Sequence, residues 1–319
     1  MKIVDMHCDT ISRLFDGTEN GKQGNLRNNS FHLDLCRMKE AGYLLQNFAL
    51  FVDKRRCRDV TEHAEKLLAL YEKELAGNKD LISSVSSFSD IEQNQSQGRM
   101  SALLTLEEGG ILKGSRELLR TFYEKGVRMI TLTWNYPNEI GYPNGDERGL
   151  TPCGRELVEA MEEMGVIVDV SHLSDAGFYE VAELTRKPFV ASHSNARSLC
   201  ASPRNLTDGM IRVLGECGGV AGLNFYPAFL ASGTPGRENP GTIADVAAHA
   251  RHIANVGGVE VLGLGSDFDG ISGHKELPGV QAVPRLADAL KKEGFHASDI
   301  DKIFGGNVLR VYKTLLWET

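Results

Sequence analysis

The chain has 319 residues, 41% of them hydrophobic and 24% charged, an ordinary globular composition with enough length to bury a large core. A formal net charge of -8 and a pI near 5.7 argue against nucleic acid or an anionic membrane as the main partner. No apolar run approaches the ~18–20 residues of a spanning helix, and the opening Met1-Lys2-Ile3-Val4-Asp5-Met6-His7 lacks the apolar stretch of a secretory signal. The six cysteines are scattered without a CxxC pair, so free thiols in a soluble, cytoplasmic chain are expected.

In chain order, short β-rich apolar runs alternate with segments of helical period. The runs are Lys2–Met6, Tyr43–Phe51, Ala102–Leu106, Arg128–Thr133, Val166–Val170, Phe189–Ala191, Gly219–Asn224 and Val261–Gly265. Near-continuous apolar runs suit parallel strands covered on both faces. Helix candidates between them are Asp59–Leu75, Ser115–Lys125, Gly154–Met164, Asp175–Leu184, Thr207–Glu216 and Thr242–Asn255. No Pro/Gly-rich linker or charge block divides these units. The expected fold is therefore α/β, one (β/α)8 TIM barrel spanning residues 1–319 as a single domain. Polar stretches at 17–35 and 135–153 would overhang its C-terminal face.

The polar residues fall at the ends of the runs. The first run ends in His7-Cys8-Asp9, and strand alternation puts His7 and Asp9 on one face with Cys8 on the other. Glu107-Glu108-Gly109-Gly110, Ser171-His172, Ser192-His193-Ser194 and Ser266-Asp267-Phe268-Asp269-Gly270 close four further runs. Each is weak alone: a lone histidine after a strand is usually structural, and one of Glu107 and Glu108 suits a solvated helix start. Five such ends on five runs are stronger, because barrel enzymes carry their catalysts there. Imidazole and carboxylate without thiolate favour zinc or manganese.

These motifs, with Gly149-Leu150-Thr151-Pro152, Val168-Asp169-Val170-Ser171-His172-Leu173-Ser174, Ala191-Ser192-His193-Ser194-Asn195-Ala196, Pro203-Arg204-Asn205-Leu206-Thr207-Asp208 and Gly305-Gly306-Asn307, appear in the order of the membrane (renal) dipeptidase family. The chain resembles that family, a branch of the amidohydrolase superfamily, from residue 3 to about 313. The resemblance implies a binuclear zinc site at the C-terminal face. His7 and Asp9 would hold one zinc and His172 and His193 the other, with Glu108 and a water or hydroxide bridging them. Asp267 would be the catalytic proton-transfer carboxylate, and Arg204 would grip the substrate's terminal carboxylate. The implied reaction is hydrolysis of dipeptides, including L-Xaa-D-Xaa, by the bridging hydroxide. Pairing as a homodimer is an expectation by analogy only.

One departure stands out. The family's best-known members have a substrate-contacting histidine after the fourth run, whereas this chain reads Thr131-Leu132-Thr133-Trp134-Asn135. Trp134 and Asn135 are therefore candidate substrate contacts, with a plain core tryptophan as the bland reading of Trp134. Tryptophan offers one donor and no acceptor, so it cannot assume the histidine's acid–base work. That keeps open an amidohydrolase acting on a non-peptide amide or lactam. An inactive barrel serving as a binding protein is the remote reading. His249 and His252 read as structural, and His274, just beyond Asp269, is a further candidate for substrate contact.

Overall fold

The computed structural model describes residues 1–19, 24–231 and 241–317, so part of the polar stretch 17–35 lies outside the described residues. Nine parallel strands form one sheet: β1 (Ile3–Asp5), β2 (Tyr43–Phe51), β3 (Ile82–Val85), β4 (Met100–Glu107), β5 (Val127–Thr131), β6 (Ile167–Asp169), β7 (Val190–Ala191), β8 (Val220–Leu223) and β9 (Leu262–Leu264). The order runs β2-β1-β9-β8-β7-β6-β5-β4-β3, and pairing of β2 with β4 closes eight strands into a barrel. The ninth, β3, pairs with the lower half of β4, whose upper half (Leu104–Glu107) carries β5. This is the (β/α)8 architecture, with helices between the strands.

Alternation along the strands divides the core in two. On β4, Ala102, Leu104 and Leu106 face the helices, whereas Leu103 joins Val4, Leu45, Met129 and Val190 in a second apolar cluster. The C-terminal helix Asn307–Leu315 closes this second cluster through Val308, Val311, Tyr312 and Leu315. Each fully buried aliphatic side chain there contributes about 1.5–3 kcal/mol. The Tyr312 hydroxyl is not left dry: it bonds Asn47 of β2 at 2.7–3.0 Å.

The helices start on recognisable caps. Thr242 and Asp245 form a capping box at Ile243–Gly257, and Val246, Ala247, Ala250 and Ile253 make one buried face. Such a cap is worth about 1 kcal/mol. His249 of this helix spans two loops, accepting from Ala196 N–H and meeting Leu230 O, while His252 pairs with Asp208. Both are structural. The six cysteines are not joined by any disulfide. Among the described residues no helix is long and apolar enough to cross a membrane.

Candidate active site

The mouth of the barrel is assembled by carboxylates at the strand ends. Asp5, closing β1, accepts from His7 N–H (3.2 Å) and from Ser266 N–H (2.9 Å) beyond β9. Asp169, closing β6, repeats the device with Ser171 N–H (3.0 Å) and Ser192 N–H (2.8 Å) beyond β7. Each buried acid thus ties the exits of two neighbouring strands. The chain then turns sharply: Glu108, His172, Asp267 and Asp269 all have positive φ, between 63° and 93°. Such backbone costs of order 1–3 kcal/mol per residue and persists only where its surroundings impose it.

Around that rim His7, Asp9, Glu107, His172, His193 and Asp267 converge, all buried. Glu107 is the centre. Its Oε2 lies 3.3 Å from His7 Nε2, and its Oε1 lies 3.2 Å from His172 Nε2 and 3.6 Å from His193 Nε2. Asp9 Oδ2 and Asp267 Oδ1 approach His7 Nε2 at 3.5 and 3.9 Å. Gly270 admits this crowding, since a Cβ there would fall 2.0 Å from Asp9 Oδ2.

Two of the imidazoles have their protonation decided by neighbours. Asn135 Oδ1 accepts from His172 Nδ1 at 3.1 Å. Ser192 donates its hydroxyl to Asp169 (2.5 Å), so it accepts from His193 Nδ1 at 2.7 Å. With hydrogens on both Nδ1 atoms, the two Nε2 atoms present bare lone pairs 2.9 Å apart. Burial, with the charges of Arg204 and His7, holds both rings well below the ordinary histidine range, hence neutral. His7 differs. Burial opposes its charge, yet Glu107 and Asp9 hold it well above that range. Neither ring nitrogen of His7, nor Asp9 Oδ1, has a hydrogen-bond partner. Facing lone pairs, orphaned buried ligand atoms and a carboxylate with one oxygen toward each group fit a divalent cation site.

The chain matches the membrane dipeptidase family, peptidase family M19, over residues 1–316. It belongs to that family. With it comes membership of the hydrolases and the implication of a metal. An uncharacterised protein in the pqqA 5′ region of Klebsiella pneumoniae is 35% identical over 241 residues, 73% of this chain and 88% of that protein. Dipeptidase aclJ of Aspergillus oryzae is 37% identical over 239 residues, 73% of this chain but 56% of the fungal protein, so the match spans little more than half of that relative. A metallopeptidase from Rhodobacter sphaeroides, solved with a phosphinate mimic of the dipeptide L-Ala-D-Ala, superposes with a TM-score of 0.91 at 25% identity, covering 99% of both chains.

Against the dipeptidase-family expectation, one residue is displaced. Glu108, expected between the two metal positions, does not stand there. Its φ of 93° turns the carboxylate away, so that Oε1 accepts from Gly110 N–H (2.8 Å) and Asn138 Nδ2 (2.6 Å) and Oε2 from Trp134 N–H (3.2 Å). Glu107 occupies the central place instead. The glycines serve this turn: a Cβ on Gly110 would meet Glu108 Oε1 at 2.5 Å.

The remaining candidates line one cavity of about 340 Å³ above the cluster. Its floor includes Asp9, Glu107, His172, Asp267 and Arg204, and Phe51, Trp134, Tyr226 and Phe229 form aromatic walls. Asn135 lines it too, besides holding His172. Asp267 Oδ2 accepts from Asn224 Nδ2 at 2.9 Å, and burial pushes its carboxyl up to about 6. Arg204 is buried, its contacts to Ser194 Oγ and His193 O are long at 3.4 and 3.3 Å, and its Nε has no partner. His274 is not among the lining residues. It is buried in its own loop, with Nδ1 accepting from Glu276 and Leu277 N–H. Sequence reasoning missed Asn138, Asn224 and the orienting roles of Asp169 and Ser192. Polar residues at buried strand ends, as in Ile167-Val168-Asp169, were the available signal.

Proposed function

We propose that the protein, as one catalytic barrel of residues 1–319, is a zinc-dependent dipeptidase acting on short substrates with a free C-terminal carboxylate. The observation that carries this is the convergence of His172 Nε2 and His193 Nε2, 2.9 Å apart, on one oxygen of Glu107, whose other oxygen faces His7. In this reading His7 and Asp9 on one side of Glu107, and His172 and His193 on the other, would together with Glu107 be the residues that hold zinc. Zinc ions bound there supply Lewis acidity and acidify water toward neutral pH.

The other residues divide the remaining work. Asn224 holds Asp267 Oδ2, which leaves Oδ1 toward the cluster. With Oδ1 toward the cluster and Oδ2 fixed, Asp267 is placed to take a proton from water and deliver it to the departing amine. Arg204, loosely engaged and with Nε–H unpartnered, offers its guanidinium fork to the substrate carboxylate. Asn135 keeps the Nε2 of His172 bare. Trp134, where the resemblance leads one to look for a histidine, favours a second reading, hydrolysis of a non-peptide amide or lactam.

A panel of L,L and L,D dipeptides, assayed with metal content measured alongside, decides between them. Cleavage at about two metals per chain, abolished by chelation, is the expected result. Two bound metals with no dipeptide cleaved would move the assignment to the non-peptide substrate.

A further inference from the structure

The carboxylate of Glu108 is buried and makes three hydrogen bonds, one within its own turn to Gly110 N–H and two into the loop that follows β5. Of those two, one reaches Trp134 N–H. The other reaches Asn138, whose amide also donates to Leu132 O (2.9 Å) and whose oxygen accepts from Ile140 and Gly141 N–H. Glu108 and Asn138 together form a clamp across the base of this loop. The loop's outer side is held from the segment after β2: Lys54 donates to Pro137 O, and the Arg55 guanidinium lies 3.6 Å over the Tyr136 ring. Trp134 is packed edge-on against Phe51 at 4.9 Å and Tyr136 at 5.5 Å. The result is an aromatic wall standing on the mouth beside His172.

The strand order places this wall. Phe51 ends β2 and Trp134 follows β5, whereas Arg204 and Phe229 follow β7 and β8 across the barrel. A dipeptide with its carboxylate on Arg204 therefore extends its amino-terminal residue toward Phe51 and Trp134. We propose that Glu108 is a positioning residue that fixes the Trp134 wall, and that this wall selects dipeptides with a large apolar or aromatic amino-terminal side chain. The substrate half of this inference rests on the dipeptidase reading above. The clamp itself does not.

The test uses Trp317→Phe protein as parent, because the chain has two tryptophans and this leaves Trp134 as the sole tryptophan emitter. Glu108→Gln keeps the volume but turns an N–H toward one of the N–H groups that the carboxylate now accepts. Expected results are unchanged metal content, stronger acrylamide quenching of Trp134, and a fall in kcat/KM at least about 10-fold larger for Phe-Ala than for Gly-Ala. Both peptides carry the C-terminal configuration that the panel prefers. Trp134→Ala gives the same substrate split. Lost metal, unchanged quenching, or an equal fall for the two peptides would each overturn the proposal. If Glu108→Gln does not fold, Asn138→Ala opens the clamp from its other side and is read in the same way. A parent that cleaves no dipeptide removes the substrate class and the dipeptidase reading together, while the quenching still decides the clamp.

Discussion

The two sides of the candidate metal centre are built on different terms. On the side of β6 and β7, each imidazole is oriented from behind, His172 by Asn135 and His193 by the Ser192–Asp169 chain. On the side of β1, neither ring nitrogen of His7 has a hydrogen-bond partner, and the ring is set by the nearby charges of Glu107, Asp9 and Asp267 and by stacking on His193 at 3.9 Å. One half is organised before any ligand arrives. The other is completed by what binds. Glu107 joins them, so it is where the contrast is most easily broken.

Glu107→Gln is expected to have the largest effect, loss of metal from both halves and a fall in kcat of at least about a thousandfold. Metal analysis beside Glu108→Gln, which should stay loaded, shows whether the shared carboxylate is correctly placed. Ser192→Ala removes the support behind His193 while leaving the β1 side intact, and should weaken one of two metal affinities by about 10–100-fold. Titration that showed both sites weakened alike would dissolve the contrast between the halves. The smallest effect is the pH dependence of the stability that metal confers. Burial, chiefly, pushes Glu107 from 4.5 to about 7 in the metal-free chain. The raised value means that its proton stabilises the metal-free fold at low pH and that this contribution is lost as pH rises through about 7. His7 has the same sign. A loaded chain holds neither proton, so the gap in melting temperature between loaded and metal-free protein should widen from about pH 6 to 8. A gap that narrowed over this range would contradict the assignment of Glu107.

Much of the barrel was legible because its strands are apolar on both faces. Tyr43–Phe51 and Asp175–Leu184 were read with the boundaries found, and the other predicted elements agree to within two residues. Ile82–Val85 was missed, since two of its four residues are serines and it pairs only with the lower half of β4. The strand ends were harder. Family likeness anchored the acidic pair to the Gly-Gly that follows, which selected Glu108. Alternation along β4 anchors it instead to Leu103, two alternations before Glu107 on the inner face. Where the two rules disagreed, the positive φ at Glu108 decided, and nothing in residue type announces a left-handed glutamate. The hydrogen bonds behind His172 and His193 were equally hidden, because they join residues 37 and 23 positions apart through loops that have no period.

The floor of the barrel is closed by Tyr312 and its neighbours, which follow His7, Asp9 and every other residue of the candidate centre in the sequence. Synthesis therefore delivers the two ends of the fold at opposite times. A nascent chain has most of the candidate metal-binding side chains outside the ribosome before the segment that seals the barrel beneath them has been made. Until then the inner apolar faces of β1, β2 and β4 are open to water, and the strand exits that aim those side chains lack a finished support. The helix that seals the floor is thus made after every residue of the candidate centre, and contributes none of them.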